Sequence, residues 1–535
     1  MPVRLHNIRV RLDAADARLE PLAAAKLGIK ADEITALRIV RRAIDSRKRT
    51  PVFVYTIDAT LGPRSAEDAV GEDAVAERLA ATLVPQPEEP RLELAPGSDP
   101  LPGRPVVVGS GPAGLFAAWL LAAHGFRPFV IERGRPVAQR AKDIDAFFNA
   151  GSLDPESNVL FGLGGAGTWS DGKLTWSSSD PLAELVLHTL IRCGAPGDIL
   201  VDAKPHIGTD LLRGVVTKLS RLIEDAGGEF GFGRRVTSLA LDGGRAAGVR
   251  CGDEAIEAGA VILGIGHSAR DTFRTLSDQG VAMEARPFQV GVRIEHPQEM
   301  IGRSQYGTFA GHPRLPAAEY SLRHKAHGGW RSVHSFCMCP GGVVVPAMNE
   351  NGQVCTNGMS GSARDGEFAN AALVVPVGPK DFGGGRFDGL AFQEHIERAA
   401  FKATGSFSAP AQRADHFIED RKGEAPERTS YPLGVVPAQF SKILPRPVYQ
   451  SIVRGLAMTF NHSIRGFAGE RGTVLGPETR VSSPVRIVRG DDTRESISTP
   501  GLYPIGEGSG YAGGIVSSAV DGLRTARAII ERFKP

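Results

Sequence analysis

At 535 residues the chain exceeds what one hydrophobic core can hold, so two or three domains are expected. Its 62 basic side chains stand against 60 acidic ones, which removes any global electrostatic case for nucleic acid or a membrane surface. Five cysteines, Cys193, Cys251, Cys337, Cys339 and Cys355, are too few and odd in number for a disulfide framework and fit reduced thiols in a cytoplasmic protein.

The N-terminus, MPVRLHNIRVRLDA, lacks the apolar core of a signal peptide. Residues 1–98 read as a small α+β domain of the ferredoxin-like kind. Val3 to Leu12 suggests a strand, and Leu19 to Leu27 a helix closed by Gly28. Ile34–Ile44 and Val52–Leu61 suggest two strands, and Ser65–Leu83 a second helix opened by a capping box. Arg38, Arg41, Arg42, Arg47, Lys48 and Arg49 make this domain locally basic, either as a solvated face and turn or as an anion or RNA contact. A proline-rich linker follows over 84–104.

The stretch PVVVGSGPAGLFAAWLLAAHGFRPFVIER, Pro105 to Arg133, reads as strand, tight turn, helix, strand and acid. That order and spacing are those of a dinucleotide-binding βαβ unit. Gly109 permits the sharp turn, Gly111 lets a pyrophosphate approach the backbone, and Gly114 lets the helix lie close on the sheet. The helix N-terminus, at Pro112 and Ala113, directs N–H groups at the phosphates, and Glu132 is placed to accept from a ribose hydroxyl. The apolar window 106–123 is better explained as buried strand plus helix than as a membrane span.

A second formal GxGxxG, Gly162 to Gly167, precedes TWSDGKL rather than an apolar helix. It is expected to be a loop running close to a flat ligand, not a second nucleotide fold. Thr209–Ala226 is an amphipathic helix, Gly233–Leu241 and Ala246–Arg250 a hairpin, and Ala260–Gly266 a buried strand ending in glycine. Residues 281–460 then change to short runs among Gly, Pro and polar residues, which suggests an inserted substrate domain on a mixed or antiparallel sheet. The chain returns over 461–535 with LYPIGEGSGYAGGI and a final helix, completing the first sheet, so the cofactor domain comprises 99–280 and 461–535. With no second complete nucleotide fold, the distant GEGSGYAGGI makes FAD the expected cofactor, Gly506 and Glu507 meeting its ribityl chain and the N-terminus of the last helix its pyrimidine.

GSGPAG with Glu132, VILGIG and YPIGEGSGYAGGI resemble the two-dinucleotide-fold FAD/NAD(P)-binding flavoproteins, a superfamily that includes glutathione reductase. FGLGGAGTWSDGKL, GHSARDTF, GVRIEHP, FCMCPGG and ETRVSSPVRI resemble, over nearly the whole chain, a bacterial family of FAD-dependent dehydrogenases. The resemblance implies a Rossmann-like FAD domain of the glutathione reductase type and an FAD-dependent oxidoreductase. Such an enzyme passes a hydride between a small organic substrate or transient NAD(P)H and the flavin. It also implies cofactor contacts at Arg133, Gly164, Gly165, Val236, Gly266, Gly513, Gly514 and Ile515. Flavin monooxygenase and carbon–carbon double-bond reductase stay open, as does, in another class, a flavin-bearing RNA-binding or RNA-modifying protein. The CxxxxC pair of disulfide reductases is absent, since 133–192 contains no cysteine.

Candidate chemistry outside the cofactor motifs falls on few residues. Cys337 and Cys339 suggest buried thiols on a flavin-facing strand, a redox pair, or a metal knuckle lacking its second half. Arg293 and Glu295 alternate on a strand and could pair, as sheet support or as an anion-binding or proton-donating couple. His267 follows a glycine-ended strand and should lie near the cofactor, and Lys173 could meet a flavin or substrate anion. Arg480 and Arg486 suggest either ligand contacts or structural pairs.

Overall fold

A computed structural model describes residues 2–14, 19–47, 50–62, 82–83, 90, 92–175, 180–326, 328, 330–424 and 426–535. The N-terminal residues form an antiparallel sheet of four strands in the order Ile34–Asp45, Val52–Leu61, Val3–Arg11, Thr82–Leu83. Alternation places Phe53, Tyr55, Ile57 and Ala59 inward, where they meet Ala23 and Leu27 of the helix Leu19–Leu27. The helix expected over 65–81 and the basic pair Lys48 and Arg49 lie outside the described residues. The remaining basic side chains are largely matched: Arg47 and Arg9 bind Asp45, and Arg42 binds Asp198 and Asp202 at 2.9 and 2.8 Å. Arg42 also exchanges backbone hydrogen bonds with Val201 and Ala203, so this arginine docks the small domain onto the next one.

The second unit is a parallel sheet of five strands, ordered Leu502–Pro504, Ala260–Leu263, Pro105–Val108, Phe129–Glu132, Glu229–Phe232. The helices Pro112–Ala123, Thr209–Asp225 and Ile515–Arg532 pack on one face. The antiparallel strands Ser238–Asp242, Arg245–Cys251 and Glu254–Glu257 cover the other. The returning end of the chain thus supplies one edge strand and a central helix, as expected. The run Gly233–Leu241 does not form one strand, and the fifth parallel strand, Glu229–Phe232, precedes it. EFGF is short and interrupted by glycine, so it carries little β pattern of its own; the parallel ladder with Phe129–Glu132 makes it a strand.

The inserted residues build a seven-stranded mixed sheet, antiparallel except where Ala409–Arg413 pairs with Val435–Pro437. Phe288–Pro297 and Phe368–Val377 run through its centre in unbroken register. The helices Asp388–Thr404 and Arg446–Gly455 pack on this sheet. The sheet continues past residue 460 to Thr473–Glu478, which pairs with Phe288–Pro297. No helix of the described residues is long and apolar enough to cross a membrane.

Candidate active site between the parallel sheet and the inserted sheet

A cavity of about 700 Å³ opens at the carboxyl ends of the parallel strands, where Val108, Ile131, Glu132, Gly264 and Ile505 line it. Crevices at that edge of an open α/β sheet are where ligands bind, and the volume falls within the usual range of roughly 300–1,000 Å³.

The turn glycines divide the work. Gly109 has φ +97°, and a Cβ there would lie 2.4 Å from the carbonyl oxygen of Gly264. A Cβ on Gly114 would stand 2.0 Å from the Gly109 oxygen, so Gly114 serves helix–strand packing and does not line the cavity. Gly111 is the reverse: a Cβ there would meet only the Gly165 Cα, at 4.0 Å, and would project into the cavity. Helices Pro112–Ala123 and Ile515–Arg532 both begin at the cavity, with the N-caps Gly111 and Gly514 and no side-chain cap on either. Two first turns of backbone N–H groups therefore face the same space, an arrangement suited to phosphate and to other electron-rich groups.

Glu132 is more committed than its motif role implies. Its two oxygens accept from Ser110 N and Oγ at 2.8 and 2.7 Å, and from Gly134 N and Gly162 N at 2.9 and 3.0 Å. The carboxylate ties three loops together, and a ribose hydroxyl would share a group already served by four donors. Arg133 also lines the cavity, bound to Glu156 and Asp271 with its guanidinium over the Phe161 ring. The loop with the second GxGxxG is brought to the cavity, as expected, through Gly165 and Gly167. Gly164 turns away, its missing Cβ sparing Thr168 Oγ1.

Arg140, which the sequence reading passed over, holds that loop. It is fully buried without a carboxylate and donates to the carbonyls of Asn158, Leu163 and Gly165 at 2.8–2.9 Å, with its guanidinium over Trp169. Burial pulls its pKa down to about 9. The only signal in the sequence was a basic residue on the inward face of VAQRAKDIDAFF.

The cavity also receives Val236, Gly266, His267, Gly506, Glu507, Gly513 and Ile515. Burial alone pushes Glu507 up to about 8, toward the protonated carboxyl that can donate as well as accept. His267 is held down at about 4, first by burial and then by repulsion from Arg480 and Arg270, and it stands neutral beside Ser268 Oγ at 3.1 Å. Burial also holds His296 at about 4. The unfolded chain binds both protons near 6.5 while the folded chain stays neutral to about 4, so stability falls as pH drops through that window. His267→Gln is expected to make this fall shallower, measured as the thermal midpoint between pH ~7 and pH ~4.5.

The opposite wall comes from the inserted residues, with Ser335, Phe336, Cys337 and Glu478 of the seven-stranded sheet and Asn357 of the two-stranded pair Val343–Pro346 and Thr356–Met359, joined by Lys173 from the glycine loop. Lys173 Nζ lies 2.7 Å from Asp171 and also donates to the Met338 carbonyl. Burial alone would raise Asp171, but Lys173 and Arg364 outweigh it and hold the carboxyl at about 2. The expected Arg293–Glu295 pair is not made. Arg293 is fully buried just behind the wall, paired with Glu478 at 2.6 and 2.9 Å and donating to the Cys337 carbonyl at 3.2 Å. Glu295, two residues further along the strand, is outside the cavity and accepts from Ser430 N at 3.1 Å. The neighbouring strand Thr473–Glu478 offers Arg293 a closer carboxylate than its own strand does. Cys339 also lies behind the wall, fully buried. Arg480 lines the cavity but is spent on structure, bound with Arg270 to the buried Glu397.

Comparisons with known proteins agree with this geometry. A family model described as "FAD-dependent protein, C-terminal domain-like" matches residues 287–481, and one for an NAD(P)-binding Rossmann-like domain matches 107–170. A domain of unknown function matches 2–60. A protein of Clostridium beijerinckii (strain ATCC 51743 / NCIMB 8052), described as "Uncharacterized protein", is 41% identical over 539 residues, covering 100% of this chain and 99% of its own length. Among solved structures, fructosamine oxidase (Amadoriase II) of Aspergillus fumigatus is 12% identical, with coverage of 81% of this chain and 86% of its own and a TM-score of 0.36. Glycine oxidase of Bacillus cereus ATCC 14579 is 10% identical, with coverage of 81% and 98% and a TM-score of 0.33. The FAD-dependent match falls on one wall of the cavity and the Rossmann-like match on the other, and the Clostridium relative matches along the whole chain: the chain belongs with it to the family of FAD-dependent oxidoreductases that carry this C-terminal domain.

Proposed function

We propose that this FAD-dependent oxidoreductase transfers a hydride between FAD and either a small organic substrate or NAD(P)H. One observation supports the reading above the rest. A single cavity is walled on one side by glycine turns and open helix N-termini, and on the other by polar side chains of the inserted sheet. Such a space takes a nucleotide cofactor and a second reactant together. Bound FAD supplies the two-electron chemistry. The glycine turns and first-turn N–H groups at Gly111 and Gly514 would hold its pyrophosphate and its ring.

The chain's own residues would do the rest. Lys173, anchored by Asp171, offers a fixed positive charge at the wall for an anionic substrate group. His267, neutral over the physiological range, is able to accept or donate a hydrogen bond to a substrate group without adding charge. Arg293 positions the Cys337 loop from behind. Glu295 has no part in this reading.

The same reading extends to architecture. The strand order of the N-terminal sheet is that of a ferredoxin-like domain, and the parallel sheet with its three-stranded cover resembles the glutathione reductase type. We place the insert between residues 281 and about 481 rather than 460, because Thr473–Glu478 completes its sheet.

Anaerobic single-turnover mixing of the FAD-loaded enzyme with NADH and NADPH, plain or deuterated at the transferred position, tests the transfer. Loss of the yellow absorbance is expected to be slower with the deuterated donor. Equal rates would mean that C–H cleavage does not limit flavin reduction and would count against direct transfer in the bleaching step. No bleaching by either donor would restrict the reading to an organic substrate.

A further inference from the structure

The CxC pair is unused by the reading above, and the structure treats it unlike ordinary core thiols. We propose that Cys337 and Cys339 form a redox-active dithiol that interconverts with an intrachain disulfide by exchanging two electrons with FAD bound in the cavity. This rests on the FAD cavity and not on the source of the hydride.

Local geometry comes first. A regular strand would keep residues two apart on one face at a spacing poor for bonding. Here the strand Val333–Cys339 breaks register with Phe368–Val377 between Phe336 and Cys339. Cys337 takes φ +43°, the left-handed region that a non-glycine residue occupies only where its surroundings hold it. The irregularity re-aims the side chains, as bulges do beside functional sites. Cys337 reaches the cavity wall, and Cys339 is buried behind it. The Cys339 thiol turns back toward Cys337 and donates to its carbonyl oxygen at 3.3 Å. Two cations brace this short segment. Arg293 donates to the Cys337 carbonyl at 3.2 Å and Lys173 to that of Met338.

Lys173, Arg293 and Arg364 carry three positive charges into this cluster, while Asp171 and Glu478 return two negative ones. His206, the other titratable neighbour of Asp171 and Arg364, is held below its ordinary value by burial and adds no charge, and Tyr320 beside Cys339 is kept neutral by burial. Each cation has a carboxylate partner, but Asp171 is shared between Lys173 and Arg364, so the cluster carries one positive charge more than its carboxylates balance. A thiolate at Cys337 answers it. Consistent with this, the neighbouring Cys339 thiol first, then Lys173 and Arg293, bring Cys337 down to about 5, while Cys339 is pushed up. A thiolate beside a protonated thiol is the asymmetric pair that disulfide chemistry uses.

The step balances within the pair and FAD. Oxidation forms one bond between the two Sγ atoms, releases the Cys339 proton, and sends two electrons to FAD, which takes up that proton on reduction. The reverse step breaks the S–S bond, leaves Cys337 as thiolate and returns the proton to Cys339. This route differs from the CxxxxC of disulfide reductases, whose cysteines lie on the nucleotide-binding segment that here has none.

The full-length FAD-loaded protein provides the test. Samples equilibrated in graded glutathione buffers, quenched in acid and alkylated in denaturant, are expected to show the Cys337–Cys339 peptide passing from doubly alkylated to unalkylated and two hydrogens lighter. Cys193, Cys251 and Cys355 should stay alkylated throughout. In anaerobic dithionite titration, the oxidised natural protein should take up twice the reducing equivalents per FAD of Cys337→Ser. With FAD removed, the disulfide should persist over the same period. A pair that stays dithiol at every glutathione ratio overturns the proposal without needing any variant to fold. Equal uptake by natural and Cys337→Ser protein, or equally fast disulfide reduction without FAD, overturns it too. A failed nicotinamide experiment leaves this outcome untouched, so the two readings fail separately.

Discussion

Gly111→Val is expected to yield a chain that folds and melts like the natural one yet binds FAD about a hundredfold or more weakly, a loss of roughly 2.7 kcal/mol or more. The two halves of that expectation have separate causes. A Cβ at Gly111 would find only the Gly165 Cα, 4.0 Å away, so nothing in the protein must move. Gly111 is also an N-cap with φ −71° and ψ 178°, extended backbone that valine adopts freely. The new side chain would instead occupy the cavity where the first-turn N–H groups of Pro112–Ala123 must approach a phosphate. Gly114→Ala gives the contrast. Its Cβ would stand 2.0 Å from the Gly109 carbonyl, a backbone atom that cannot step aside, so the helix must lift from the sheet and stability is lost together with the cofactor. Tryptophan-fluorescence or flavin-absorbance titration with FAD, beside a thermal melt of each apo-protein, separates the two. Equal melting loss in both variants would show that Gly111 is a packing glycine after all.

That contrast marks what was legible in the sequence and what was not. The βαβ unit could be read because its features are local: Gly109, Gly111, Gly114 and Glu132 act within one short segment whose order mirrors its geometry. The returning segment from Leu502 to Ile515 could be placed because its glycines repeat that local logic. The charged partners were another matter. Arg293 chose Glu478, 185 residues away, over Glu295 on its own strand, and Arg480 chose Glu397, 83 residues back. Such pairs are set by which strands become neighbours, and no spacing along the chain encodes that. Glu229–Phe232 escaped for the same reason, being a strand only by virtue of the ladder it joins. The break at Cys337 is intermediate. CMC is visible as a pair, but its left-handed residue and slipped register depend on Lys173 and Arg293 arriving from elsewhere.

The largest stability effect is expected at Glu397. Its carboxylate is fully buried and shared by two guanidiniums: Arg270 at 2.9 Å to each oxygen, and Arg480 at 3.1 and 2.9 Å. Thr479 Oγ1 adds a further donor at 2.5 Å. Three segments meet there, the helix Arg270–Asp278, the helix Asp388–Thr404 and the stretch after Thr473–Glu478, so one anion fastens the inserted sheet to the parallel one. Burial alone would raise Glu397, but Arg270 and Arg480 outweigh it and hold the carboxyl well below its ordinary range. Its folded value being depressed, its contribution is complete above about 4.5 and is lost as pH falls below that. Glu397→Gln keeps the shape and removes the charge, leaving two desolvated guanidiniums with only the partly exposed Glu350, 3.9 Å from Arg270, as a nearby anion. Breaking one partner out of such a buried cluster costs about 3–5 kcal/mol. A marked drop in thermal midpoint follows, together with weaker FAD retention, since Arg480 lines the cavity. Glu397→Asp, which keeps the charge but shortens the reach, should lose distinctly less. Should Gln and Asp destabilise equally, shape and not charge would be what Glu397 contributes, and the electrostatic account of this junction would be wrong.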